Sequence, residues 1–349
     1  MRHHAFATAA TAFALVALSS HESRAEGPED PPEGYRPHVL DYVTYSGSAI
    51  VASASRLAHE RPASVTRTAP GVYRALLTGT QYANVQASAY GAVHGFCNVD
   101  SWTPEAPGLT IVVRCFDAAA RPQDMGFSVV AMWQGNTPPV STLRYGWIAQ
   151  PMSQSETARQ PMLYRSGVFV NGPSIVVRTP PPVLKRTAAG AYTTRSGSET
   201  ALWFATPTGP LPRRCRGYTT PNEMGVQCRA IDTGAPADAT VSFAVLKDGT
   251  LTPRVSEGGY ARFAANGQPF PNVGGAGTTA WSSNGGRVSA VREAAGRYRV
   301  RFERHASITP GVALVSGGCR VTGLANEGGD RVVSVDCNAD ADFDVILVR

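Results

Sequence analysis

Arg67-Thr68-Ala69-Pro70-Gly71-Val72-Tyr73 returns as Arg186-Thr187-Ala188-Ala189-Gly190-Ala191-Tyr192 and again as Arg292-Glu293-Ala294-Ala295-Gly296-Arg297-Tyr298. Four positions of seven are held three times in one chain, the signature of an internal repeat. The local reading is physical. Gly supplies a turn or bulge that most side chains cannot adopt. Tyr then opens a strand whose alternate positions are apolar: Tyr73, Ala75 and Leu77 in the first copy, Tyr298, Val300 and Phe302 in the third.

The six cysteines share this phase. Cys97, Cys215 and Cys319 follow the Gly of their copy, and Cys115, Cys228 and Cys337 follow in turn. The second Cys ends an alternating run, as in Ile111, Val113 and Cys115, so its sulfur faces the side of the apolar residues. Six cysteines admit 15 pairings in general. The repeat phase predicts Cys97–Cys115, Cys215–Cys228 and Cys319–Cys337. No Cys pair has the close spacing of a zinc site, so no metal is expected. An Asp-bearing turn and a Phe-x-Val strand close each copy, at Phe127, Phe243 and Phe343.

Each copy thus holds five to seven short strands. Low charge (17%), 35 Gly and 26 Pro agree with many strands joined by tight turns. The predicted fold is all-β: three tandem small antiparallel β-sandwich or Greek-key modules, each with its own disulfide. Pro- and Gly-rich stretches place the modules at 39–137, 138–253 and 254–349.

The first 25 residues read as a signal peptide. Arg2, His3 and His4 form a basic start, Ala5 to Leu18 an apolar run too short to span a bilayer, and Ser23-Arg24-Ala25 a cleavage site. A linker over 26–38 follows. No other long apolar run occurs, so no membrane span is expected, and the chain is expected to be secreted or periplasmic. The net charge is +6, but apart from Arg213, Arg214 and Arg216 the Arg residues are scattered, which argues against nucleic acid as a partner.

Cys97-Asn98-Val99-Asp100-Ser101-Trp102, Val113-Arg114-Cys115-Phe116-Asp117 and Asp124-x-x-Phe127, with the Arg-x-Ala-x-Gly-x-Tyr frame, resemble a disulfide-containing β repeat of secreted proteins from high-GC soil bacteria. The resemblance covers nearly all of 39–349 and is closest in the first copy. It implies fold and secretion, and carries no catalytic residues.

Signs of chemistry are sparse. No Gly-x-Ser-x-Gly elbow occurs. The histidines beyond the leader, His38, His59, His94 and His305, do not recur between copies. Asp340-x-Asp342-x-Asp344 lacks the Gly and Glu of a calcium loop; in a Phe-x-Val strand, Asp342 and Asp344 are expected to face solvent. Trp147 and Trp203 read as core, whereas Trp102 and Trp281 sit among turn residues and are candidates for exposed sugar-stacking rings. A site should use residues that break the repeat. His94, Asp100, Trp102 and the unmatched segment Met152–Ser174 are such places. The expected function is a non-enzymatic extracellular binding, adhesion or structural protein without cofactor, with cell-envelope or extracellular glycan or protein as partner. The alternative is a secreted hydrolase, glycan- or peptide-directed, with its site between modules.

Overall fold

The computed structural model describes residues 39–56, 62–80, 83–133, 144–148, 168–169, 176–177, 185–195, 202–219, 223–246, 258–270, 280–307 and 310–349. The leader, the linker and most of Met152–Ser174 lie outside them. Among the described residues, no helix is long and apolar enough to cross a membrane.

The first stretch forms β1 (Val39–Tyr45), β2 (Ala63–Ala69), β3 (Val72–Thr78), β4 (Asn84–Tyr90), β5 (Phe96–Glu105), β6 (Gly108–Phe116) and β7 (Gly126–Trp133). The second forms β8 (Arg144–Ile148), the short pair β9 (Val168–Phe169) and β10 (Val176–Val177), β11 (Lys185–Ala188), β12 (Ala191–Arg195), β13 (Leu202–Thr208), β14 (Arg213–Thr219), β15 (Glu223–Ala230) and β16 (Thr240–Leu246). The third forms β17 (Gly258–Phe263), β18 (Ala280–Ser282), β19 (Val288–Ala294), β20 (Arg297–Phe302), β21 (Val312–Val315), β22 (Cys319–Glu327), β23 (Asp330–Cys337) and β24 (Phe343–Val348).

One strand order recurs: β2-β3-β6-β5, β11-β12-β15-β14 and β19-β20-β23-β22. The disulfides Cys97–Cys115, Cys215–Cys228 and Cys319–Cys337 each join the last two strands of such a set. Facing these sets are β1-β7-β4, β8-β16-β13 and β18-β17-β24-β21. Single parallel pairings, Val99 with Thr208 and Tyr90 with Val321, fuse strands of different stretches into two seven-stranded sheets.

The repeated heptapeptide builds one device three times. Its hairpin carries a register shift between Arg67 and Ala69, Arg186 and Ala188, and Arg292 and Ala294. Gly71, Gly190 and Gly296 take φ of +66°, +66° and +70°. A Cβ at any of them would overlap the carbonyl oxygen of the second Cys of that copy. The remaining positions converge on one carboxylate. Asp340 accepts from Arg292 Nε (2.9 Å), the Gly296 amide (2.7 Å) and the Tyr298 hydroxyl (3.2 Å). Asp124 and Asp238 accept from Arg67, Gly71 and Tyr73, and from Arg186, Gly190 and Tyr192, in the same way. The Arg hydrogen bond is the main reason each Asp is held below the usual carboxylate range.

Packing follows the strand period. Val43, Val129 and Ala131 face β3, β5 and β6, whereas their neighbours Tyr42, Val130 and Met132 face the opposite way. There they meet Leu202, Phe204 and Leu246, and Tyr260, Leu314 and Ile346, in a core shared by all three stretches. Trp203 stacks on Phe243 within a core of the second stretch, as expected of a core Trp. Hydrogen bonds cross the same seams. The Thr206 hydroxyl accepts from the Ala87 amide (3.1 Å), and the Tyr42 hydroxyl donates to the Pro310 carbonyl (2.9 Å).

This shared core corrects one expectation. Asp344 does not face solvent: it is 2% exposed and paired with Arg262 at 2.5 Å. The outward face of β24 is covered by the other sheets, so a side chain alternating away from one core enters another. Ser316 donates to the same carboxylate (2.8 Å). Asp342 faces a neighbouring strand, pairing with Arg216 at 2.9 Å.

Candidate functional site

The three positions just before the first Cys of each pair, Phe96, Arg214 and Gly318, line one small cavity where the three stretches meet. At this position the three copies differ in chemistry: an aromatic ring, a guanidinium and no side chain. Phe96 pairs across the strands with Phe116, and both pack on Ile231 to form an apolar plug. Gly318, at φ +89°, leaves room: a Cβ there would come within 3.1 Å of Arg214 Nη1 and 3.2 Å of Phe96 Cε1.

Arg214 sits opposite Arg229 on β15. Like charges facing each other across strands destabilise a sheet. Arg216 adds a third guanidinium one pleat along β14. Cys215, between them, points into the core of the second stretch, so Arg214 and Arg216 share the opposite face. Together the three arginines line a cleft of about 330 Å3, whose far wall is Ala265, Gly317 and the Asp340–Asp342 turn. That volume is at the lower end of the roughly 300–1,000 Å3 typical of small-molecule sites.

The charges of the cleft are unequally committed. Asp340 belongs to its Arg292 clamp, and Asp342 holds Arg216 with Oδ2 and accepts the Ala265 amide with Oδ1 at 3.1 Å. Arg229 donates to the Gly234 carbonyl at 2.8 Å. The half-buried Arg214 has neither ion pair nor hydrogen bond among the described residues. Burial, then repulsion from Arg229 and Arg216, pulls its pKa below the ordinary arginine value. Arginine stays protonated regardless, so this registers as a charge held in an unfavourable setting.

The small cavity, about 40 Å3, shares Arg214, Cys215 and Gly317 with the cleft. Two buried polar atoms in its lining residues find no protein partner: Ser88 Oγ and Asn98 Oδ1. Asn98 Nδ2 donates to the Leu211 carbonyl at 2.8 Å, which fixes the amide orientation.

The residues singled out from sequence do not share contacts. His94 lies against Arg320 (2.9 Å) and Asp336 (3.7 Å) of the third stretch. Asp100, beside a bulge in β5, pairs with Arg114 at 2.8 Å. Trp102 is half-buried against the first core, and the half-buried Trp281 stacks on Tyr260. The sequence shows Arg213, Arg214 and Arg216 as a basic cluster but does not mark it as a site; the further signal is that Arg214 occupies a position held by Phe and Gly in the other copies.

Two further arrangements bear on chemistry. His305 is fully buried with Nε2 2.9 Å from Ser282 Oγ. Asn284 Nδ2 donates to the Arg304 carbonyl (2.8 Å) and faces His305 Nδ1 (3.3 Å). Nδ1 therefore accepts, and Nε2 presents its proton to the serine. A base that activates Ser needs the opposite polarity. Among the described residues, no group of three His, Cys, Asp or Glu side chains is placed to hold a metal ion. No family model, no curated protein and no solved structure matches this chain.

Proposed function

We propose that the chain is an exported, non-enzymatic binding protein. Three sandwich modules, 39–137, 138–253 and 254–349, close around a common core and hold an anionic ligand in the cleft of Arg214, Arg216 and Arg229. The observation that carries this reading is the uncommitted Arg214 guanidinium, kept half-buried between two other arginines. A planar guanidinium recognises carboxylate, phosphate or sulfate through paired hydrogen bonds. The disulfides support an oxidising, extracytoplasmic location, where envelope and matrix polymers present such groups. The polarity of the Ser282–His305 pair speaks against a hydrolytic site there.

The test is titration calorimetry of the protein beginning at residue 26 with acetate, phosphate and sulfate at low ionic strength. Binding that weakens with added salt is expected. Arg214→Gln should weaken it about tenfold or more, the scale of one lost charge-assisted hydrogen-bonded contact. Absence of anion binding, or binding indifferent to Arg214→Gln, contradicts the reading. Turnover in a hydrolase screen would favour an enzyme instead.

A further inference from the structure

Resting on the anion-binding reading above, we infer that the ligand is a hydroxylated acid, of the kind found in acidic saccharides: its oxyanion meets Arg214 in the cleft, and a hydroxyl beside that oxyanion enters the small cavity. The cavity and the cleft share Arg214, Cys215 and Gly317 as lining residues, so the two spaces lie side by side. The cavity is not apolar. Ser88 is 4% exposed and Asn98 1% exposed, and Ser88 Oγ and Asn98 Oδ1 make no hydrogen bond to the protein. Buried polar atoms are nearly always satisfied, and those left over deserve a cause.

The chemistry of the two atoms is specific. Asn98 Oδ1, a carbonyl oxygen, only accepts, and the Nδ2 donation to the Leu211 carbonyl fixes which end of the amide it is. Ser88 Oγ both donates and accepts. A bare carboxylate or sulfate offers no donor to Asn98 Oδ1. A hydroxyl donates to Asn98 and accepts from Ser88. The corresponding position in the third stretch is spent on an internal partner: Ser316 donates to Asp344. The space is also kept open from the other side, since a side chain at Gly318 would press on Arg214 and Phe96.

Three six-membered-ring probes test this by titration calorimetry on the protein from residue 26: D-galacturonate, cyclohexanecarboxylate and D-galactose. Galacturonate should bind about tenfold more tightly than cyclohexanecarboxylate, as expected where a site reads a hydroxyl. Galactose, without the charge, should bind far more weakly than either acid. Ser88→Ala removes a hydroxyl that bonds nothing in the protein, so the thermal midpoint should hold. It should narrow the gap between the two acids several-fold while leaving cyclohexanecarboxylate unchanged. Arg214→Gln should weaken both acids. If both acids bind equally, or Ser88→Ala leaves the gap intact, the hydroxyl inference falls and the anion site stands. If neither acid nor any simple oxyanion binds, the anion reading falls and takes this inference with it.

Discussion

At the residue scale, three glycines and three aspartates carry the repeat. Gly190 combines a left-handed backbone with a position where a Cβ would overlap the Cys228 carbonyl oxygen. Gly190→Ala should therefore cost about 1–3 kcal/mol from backbone strain alone, read as a lower midpoint in chemical denaturation. The aspartates set the acid limb of stability. Asp124, Asp238 and Asp340 are held below the unfolded carboxylate value, chiefly by Arg67, Arg186 and Arg292. A depressed folded pKa gives stability that is present above the unfolded value, about 3.9, and lost as pH falls through the folded one. The wild type should thus lose thermal stability as pH falls below about 4. The triple variant Asp124→Asn, Asp238→Asn, Asp340→Asn should be less stable at neutral pH and show a flatter decline below it. An unchanged acid limb would remove the clamps from the account. The spacing Arg-x-Ala-x-Gly-x-Tyr was legible in sequence, but the carboxylate that binds all of it lies 48 residues or more away from its Arg in every copy. Only folding reveals that pairing.

At the element scale, the hairpin, its bulge and the disulfide strands were readable because each rests on local pattern: Gly at the turn, alternate apolar residues, cysteines at a fixed phase. Each disulfide closes a short loop, 13 residues for Cys215–Cys228 and 18 for the others. Loops of this length are worth about 3 kcal/mol each in the chain-entropy picture. Replacing Cys215 and Cys228 together by Ser should lower unfolding free energy by about that amount, with far-ultraviolet circular dichroism unchanged. The outward faces of β7, β16 and β24 were less legible. Val129-Val130-Ala131-Met132, Phe243-Ala244-Val245-Leu246 and Val345-Ile346-Leu347-Val348 are continuous apolar runs, the mark of strands covered on both sides. Alternation within Phe343-Asp344-Val345 alone directs Asp344 to solvent; the cover on that face comes from strands distant in sequence, which no local pattern announces.

At the scale of the whole molecule, side chains of all three stretches pack into one shared core, which predicts that they unfold together. Phe204 is fully buried at its centre. Phe204→Ala should cost about 3–5 kcal/mol, and calorimetric melting should remain one transition displaced as a whole. Three separate transitions, only one of them moved, would mean independent modules. The same closure explains where a site can arise. Identical clamps make identical scaffold, so chemistry is left to the meeting point of the copies, where Phe96, Arg214 and Gly318 differ. The most direct measurement is a crystal of the protein soaked in selenate, with anomalous scattering locating the anion. The account predicts a peak within hydrogen-bond distance of the Arg214 guanidinium, absent from crystals of Arg214→Gln. A cleft without a peak, or one equally strong in the variant, would contradict it.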